Sequence, residues 1–269
     1  MNPIQFRRHL HMHPELSFRE HDTAAFVSAR LSELGIEHRP IARTGVLAWI
    51  EGRGKADPKR RAVVLRADID ALPVTERNDC EWRSQNEGVM HACGHDMHAA
   101  VLFGVLKTFA EAPDFRGTLF GLFQPGEETF EGARAAIADG LLQNPRPQAA
   151  FAMHVNSQSP LGLVLYGSPA LSGVYGFRIT LQGKGGHGSS PEICIDPITT
   201  GVHVHLALQE LIAREVPAAK EVALTVGKFA GGQAANVIPD TCVLEGTLRG
   251  FDVELMEHLK TRIAEVVNG

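Results

Sequence analysis

Long apolar runs are missing from this chain: none approaches the roughly 20 residues that a bilayer-spanning helix needs. The stretch Met1 to His9 has no apolar signal core, so the expected compartment is the cytoplasm, with no membrane partner. Cysteine is scarce. The four, at positions 80, 93, 194 and 242, are too scattered for a disulfide framework and read as reduced thiols, one of them a possible metal ligand. No cluster of Lys and Arg with interleaved aromatics occurs, and the formal net charge is −5, which argues against a nucleic-acid partner. Repeats and low-complexity segments are absent. What is left is the composition of a soluble globular protein, 269 residues long, enough for one large domain or two modest ones.

One residue type is in excess: there are 13 histidines. Three fall within His91-Ala92-Cys93-Gly94-His95-Asp96-Met97-His98, and an apolar run, Ala99 to Leu106, follows. Ligand-type residues crowded beside an apolar run point to a metal site at the mouth of a buried helix.

Along the chain, residues 5–35 read as a helix pair, with Pro14 ending or redirecting the first helix and Gly35 capping the second. Residues 46–50 and 61–66 read as strands, the second leading into Ala67-Asp68-Ile69-Asp70. Two acids on alternate residues past a buried strand point the same way, and the carboxyl end of a central strand is where α/β folds place their sites. A solvated turn is the bland alternative. Residues 99–111 read as a helix and 117–124 as a buried strand ending in Pro125-Gly126-Glu127-Glu128. Adjacent carboxylates repel and are costly to bury unless a cation compensates. Residues 131–140 read as a helix, and 149–155 as a strand with His154 near its end.

The organisation changes near residue 170. An alternating strand at 172–181, a glycine-rich loop, a helix at 197–214, strands at 222–229 and 242–249 and a last amphipathic helix make up most of a ferredoxin-type split βαβ unit, without its final strand. Gly183, Gly185 and Gly188 match the dinucleotide fingerprint G-x-G-x-x-G, which makes a dinucleotide-binding enzyme the runner-up. That fingerprint requires a helix opening at the last glycine, and Ser189-Ser190-Pro191 delays it. The metal reading uses more of the chain. Cys93 and His95 can face one ion from a turn, and thiolate with imidazole suits a borderline or late first-row metal. Of Glu127 and Glu128, one carboxylate can bind metal while the other takes a proton from water, and His154 adds a neutral nitrogen.

These motifs together resemble the M20 metallopeptidase superfamily, in particular its aminoacylase, hippurate-hydrolase and indole-acetyl-amino-acid-hydrolase branch. The matching pieces are Arg8-His9-Leu10-His11 with His13-Pro14-Glu15-Leu16-Ser17, Leu65 to Pro73, Met90 to Asp96, Phe123 to Glu128, Gly183 to Ser189 with Asp196-Pro197-Ile198, and Ala235 to Pro239. The resemblance implies an α/β fold: a zinc-peptidase-like catalytic domain over 1–171 and an inserted ferredoxin-like α+β lid or dimerisation domain over 172–269, both incomplete. It implies Cys93, His95, Glu128 and His154 as ligands of two divalent ions (Zn²⁺, Mn²⁺, Co²⁺ or Ni²⁺), Glu127 as general base, and Asp70 beside the site. His187 would stabilise the oxyanion, and Asn236 and Arg249 would hold the substrate carboxylate. The implied reaction is hydrolysis of an N-acyl amino acid to a carboxylic acid and an amino acid, in a homodimer formed through the lid. His11, His13, His91 and His98 are expected to be structural or to support ligands rather than to be ligands.

Members of that superfamily are longer. After the lid they return to the main sheet and supply a further histidine ligand, so this chain reads as a truncated form. A non-catalytic metal-binding or dimerisation remnant is the alternative, and retention of Glu127 speaks against it. The isolated 269-residue chain is therefore expected to be poorly active or inactive. A robust metal-dependent rate on N-acyl amino acids would overturn that expectation.

Overall fold

The computed structural model describes residues 1–54, 61–143, 145–167 and 171–269, which form two compact units, Met1–Leu161 and Gly162–Gly269. In unit 1 the elements are α1 (Pro3–Met12), α2 (His21–Glu33), β1 (Glu37–Ile41), β2 (Gly45–Glu51), β3 (Ala62–Asp68), α3 (His95–Glu111), β4 (Thr118–Gln124), α4 (Gly132–Ala138) and β5 (Ala149–Ala152). The described strands form one sheet in the order β1-β2-β4-β3-β5. β1, β2 and β4 run antiparallel, whereas β3 lies parallel to both β4 and β5.

Strand β4 is central, and all seven of its residues are buried. Its alternation divides the core in two. Leu119 and Phe123 face one cluster with Phe6 and Leu10 of α1, Val27 and Leu31 of α2, and Leu102, Phe103 and Leu106 of α3. Phe120 and Leu122 face the other, with Val64 and Ala136 of α4. Helix α3 lies close on the sheet because β4 carries Gly121, where an added Cβ would meet Leu106 Cδ1 at 2.6 Å. The Phe6 and Phe103 rings stack at 4.4 Å and tie α1 to α3. Strand β5 is the opposite case. It pairs with β3 over four residues, all of them exposed. The strand expected to run to Val155 therefore stops at Ala152, and His154 lies beyond the ladder. Strand β1 has no counterpart in the sequence reading. Its charged residues and Pro40 hide an edge strand whose only partner among the described residues is β2.

Unit 2 contains β6 (Gly173–Gln182), β7 (Gly186–His187), the 3₁₀ turn Pro191–Ile193, α5 (Pro197–Glu215), β8 (Val222–Gly231), β9 (Val237–Ile238), β10 (Thr241–Gly250) and α6 (Val253–Asn268). An antiparallel sheet in the order β6-β10-β8 packs Ile179, Leu244 and Leu248 against Leu208 of α5 and Leu259 of α6. Both helices start on an aspartate: Asp196 accepts from Ile198 N–H and Asp252 from Leu255 N–H. The succession β6-α5-β8-β10-α6 is the strand–helix pattern of a split βαβ fold. Among the described residues no helix is long and apolar enough to cross a membrane.

The glycine loop is not a dinucleotide cradle. β7 pairs with β9 just where a helix would have to open, and α5 begins nine residues after Gly188, at Pro197. Replacing Phe103 with Ala should remove the stacked contact with Phe6 and leave a cavity beneath α3. The expected loss is about 3–5 kcal/mol, read by chemical denaturation.

Candidate metal centre

The centre is built around His95, the first residue of α3 and 1% exposed. The chain turns into the helix through Gly94, at φ +86°, in the left-handed region that suits glycine. His95 Nδ1 donates to the Asp70 carbonyl at 2.8 Å and to Asp70 Oδ1 at 3.1 Å. Facing a carbonyl, Nδ1 carries the proton, which leaves Nε2 with a free lone pair. Buried Nε2 has no hydrogen-bond partner among the described residues. Around it lie Asp68 Oδ2 at 3.6 Å, Glu128 Oε1 at 3.8 Å and Glu127 Oε2 at 3.9 Å. Glu128 Oε1 is likewise buried without a hydrogen-bond partner.

Four chain segments deliver these groups. Asp68 ends β3, and Asp70 follows it; both are buried, so the acids just past that strand do not form a solvated turn. Ser17 Oγ donates to Asp70 Oδ2 at 2.7 Å, and the Glu128 N–H donates to the same oxygen at 3.0 Å. Glu127 and Glu128 leave β4 through the Pro125-Gly126 turn. That turn is pinned by Glu20, which is fully buried and accepts from Gly126 N–H at 2.9 Å and from Thr44 Oγ1 at 2.5 Å. Burial pushes the Glu20 carboxyl above its usual range. On the other side, Cys93 Sγ stands 3.4 Å from His154 Nε2. His154 Nδ1 donates to the Val155 carbonyl at 2.7 Å, so its Nε2 is the unprotonated nitrogen facing the thiol.

The sequence reading left Ser17, Glu20 and Asp68 without roles. Ser17 and Asp68 lie inside the quoted motifs, so a signal was present for them. Glu20 carries none, because only tertiary packing brings it to the Pro125-Gly126 turn.

The electrostatics of the cluster suit a cation. Burial, then the charges of Glu128 and Glu127, push the Cys93 thiol up to about 12. Burial raises the Glu128 carboxyl, with Glu127 and Asp70 adding to it against His95. Burial disfavours charged His95, but its bond to Asp70 and the charges of Asp68, Asp70 and Glu128 outweigh that and raise its pKa. Burial opposes Asp70 ionisation as well, yet the donors His95, Ser17 and Glu128 N–H hold its carboxyl below the usual range. A bound divalent ion inverts this logic, because it favours the thiolate, the carboxylate and the unprotonated imidazole together. The donor atoms fit one. Cys93, His95 and His154 offer ligand atoms within 4.8 Å of one another, as do His95, Glu127 and Glu128, and as do Asp68, His95 and His98. In the third set both His98 nitrogens are engaged, with Asp68 and with Val155 N–H, so His98 has no lone pair to give.

Three expected site residues lie in unit 2. His187 lies opposite Val237 on the β7–β9 pair, and just beyond it Gly188 N–H donates to the Asn236 carbonyl at 2.8 Å. His187 Nδ1 accepts from Ser189 Oγ at 2.7 Å and from Ser189 N–H at 3.2 Å, which leaves its Nε2–H free to donate. Arg249 is exposed near the opposite end of β10. It lies eight positions along the strand from Thr241, roughly 27 Å at the rise of an extended chain.

A profile of peptidase family M20/M25/M40 matches residues 64–255. The chain belongs to this family. It is 42% identical to the N-acetyl-L-cysteine deacetylase of Bacillus subtilis strain 168 over 266 residues, covering 98% of this chain and 62% of that protein. It is 39% identical to IAA-amino acid hydrolase ILR1-like 4 of Arabidopsis thaliana over 267 residues, 98% of this chain and 59% of that protein. It thus spans about three-fifths of the length of these curated relatives. The crystal structure of the Bacillus subtilis YXEP protein, a dinuclear metal binding peptidase of family M20, has 33% identity and a TM-score of 0.77 over 98% of this chain and 68% of that one.

Behind the centre of this M20 member lies a buried ion network. His11 Nδ1 meets Asp96 Oδ2 at 2.9 Å, and its Nε2 meets Glu76 Oε1 at 3.1 Å; Arg7 Nε donates to the same Asp96 oxygen at 2.8 Å. The hydrogen bond to Asp96 raises the His11 pKa, burial opposes it, and Glu76 raises it further. A raised folded-state pKa contributes stability that is fully present below the unfolded value, about 6.5, and is lost as pH rises through the folded value. The thermal midpoint should therefore fall as pH climbs above neutrality. His11→Gln should lower the midpoint under mildly acidic conditions and flatten that slope; an unchanged slope would remove His11 from it.

Proposed function

We propose that the protein is a metal-dependent amidohydrolase that cleaves N-acyl amino acids to a carboxylic acid and an amino acid. One observation carries this reading: His95 is locked by Asp70 with its bare Nε2 aimed at the equally unpartnered Glu128 Oε1, and Glu127 stands beside them. In this reading Cys93, His95, Glu128 and His154 hold the ions. A divalent ion held there supplies Lewis acidity, which polarises an amide carbonyl and acidifies water. Names of relatives support the substrate class, since an N-acetyl-L-cysteine deacetylase and an IAA-amino acid hydrolase both act on acylated amino acids.

The chain's own groups then divide the work. Glu127 is partly exposed, with Oε2 3.9 Å from His95 Nε2, and takes a proton from the attacking water and delivers it to the leaving amine. Asp70 keeps His95 in the Nδ1–H tautomer and orients it. His187, with Nε2–H available as a donor, stabilises the oxyanion, and Asn236 beside it binds the substrate carboxylate. Arg249 is the other proposed holder of that carboxylate. The proposed assembly is a homodimer through unit 2, where β6 and β8 are the outer strands of the sheet among the described residues. The proposed compartment is the cytoplasm.

A screen of acetyl-, benzoyl- and indole-acetyl-amino acids with defined metals tests the activity. In the form of the protein that turns these substrates over, Glu127→Gln should lower kcat by about 10²–10⁴-fold with metal content unchanged. Unchanged turnover would remove Glu127 from the mechanism.

A further inference from the structure

We infer that His98 is a positioning residue of the metal centre, which clamps His154 in place through the backbone of Val155. The inference rests on the metal-centre reading above and adds a residue to it. Once past Ala152 the chain leaves the β5 ladder. Yet His154 must bring Nε2 to Cys93 from 61 residues away in sequence. His98, one turn into α3 and wholly buried, bridges the gap. Its Nδ1 lies 2.5 Å from Asp68 Oδ1, and its Nε2 accepts the Val155 N–H at 3.0 Å. Since Nε2 is the acceptor, the proton sits on Nδ1 and is donated to Asp68. Asp68 is itself held by Arg66 Nη1 at 3.0 Å. The relay therefore runs from Arg66 through Asp68 and His98 to the amide that follows His154.

A second contact holds the same residue. A Cβ at Gly94 would stand 2.5 Å from Val155 Cγ2, so the valine side chain lies directly over the turn between Cys93 and His95. Val155 is gripped by its N–H and by its side chain, and both grips come from the segment that carries Cys93 and His95. The His154 ring is oriented in turn, because its Nδ1 donates to the Val155 carbonyl. The His98 and His154 rings also meet edge to face at 4.6 Å.

Co²⁺ titration of the whole chain, followed by the visible and thiolate charge-transfer bands, tests the clamp. His98→Gln and His98→Asn are compared. The Gln amide reaches the Nε2 position and can accept from Val155 N–H; the shorter Asn amide reaches only the Nδ1 position, so it keeps Asp68 but falls short of Val155. Affinity should drop about 10- to 100-fold in His98→Asn and recover in His98→Gln. The His98→Asn penalty should vanish in a His154→Ala background, because the clamp acts through that ligand. Equal affinities for the two His98 variants, or an undiminished penalty in the His154→Ala background, would overturn the clamp while leaving the metal centre standing. A native chain that binds no Co²⁺ would overturn the centre itself, and the clamp with it.

Discussion

Asp70 is the constraint on which the site depends. One carboxylate, buried and held ionised by its donors, gathers the Ser17 hydroxyl from the loop between α1 and α2, the Glu128 amide from the turn after β4, and the His95 imidazole from the start of α3. His95 opens α3 and the Glu128 amide follows closely on β4, and both of those elements pack into the core. The geometry of the centre is thereby referred to the sheet and helices rather than to mobile loops. Remove Asp70 and three segments lose a common origin at once, and His95 loses the bond that chooses its tautomer.

Around this origin the centre is deliberately uncomfortable without an ion. A thiol pushed far from ionising, a carboxyl raised chiefly by burial and two buried polar atoms without hydrogen-bond partners are each a cost in a folded chain. Their coincidence within a few ångströms argues for a cation more strongly than any one of them. The same criterion separates the histidines. His11 and His98 have both nitrogens engaged, whereas His95 has one engaged and one bare.

Much of this was legible in the sequence, because the motifs are local. The run from His91 to His98 announced both the Cys93–His95 pair and the helix behind it. The buried strands 61–66 and 117–124 announced the two strand ends that carry Asp68, Asp70 and the glutamates. What escaped the sequence reading depends on pairing across the fold. Helix α3 opens at His95, four residues before its apolar periodicity begins, because the first turn is occupied by polar side chains with buried partners. Strand β1 looks like loop in its own residues and is a strand only through β2. His154 was read as ending a strand, but β5 gives out at Ala152 and a histidine on another element takes over its backbone. Glu20 supports the glutamate turn across 106 residues of sequence, a distance that no local pattern reports.

The spacing of the donors along the chain carries a further consequence. Cys93 and His95 are neighbours, whereas Glu128 and His154 are brought to them only when β4, β5 and α3 have assembled. An unfolded chain can offer an ion the first pair and little else. Ion binding and the assembly of unit 1 are then linked equilibria: whatever loosens the sheet weakens the hold on the ion, and the ion in turn favours the assembled sheet. Chelation and mild denaturant should act on this protein as one perturbation, each lowering the threshold for the other.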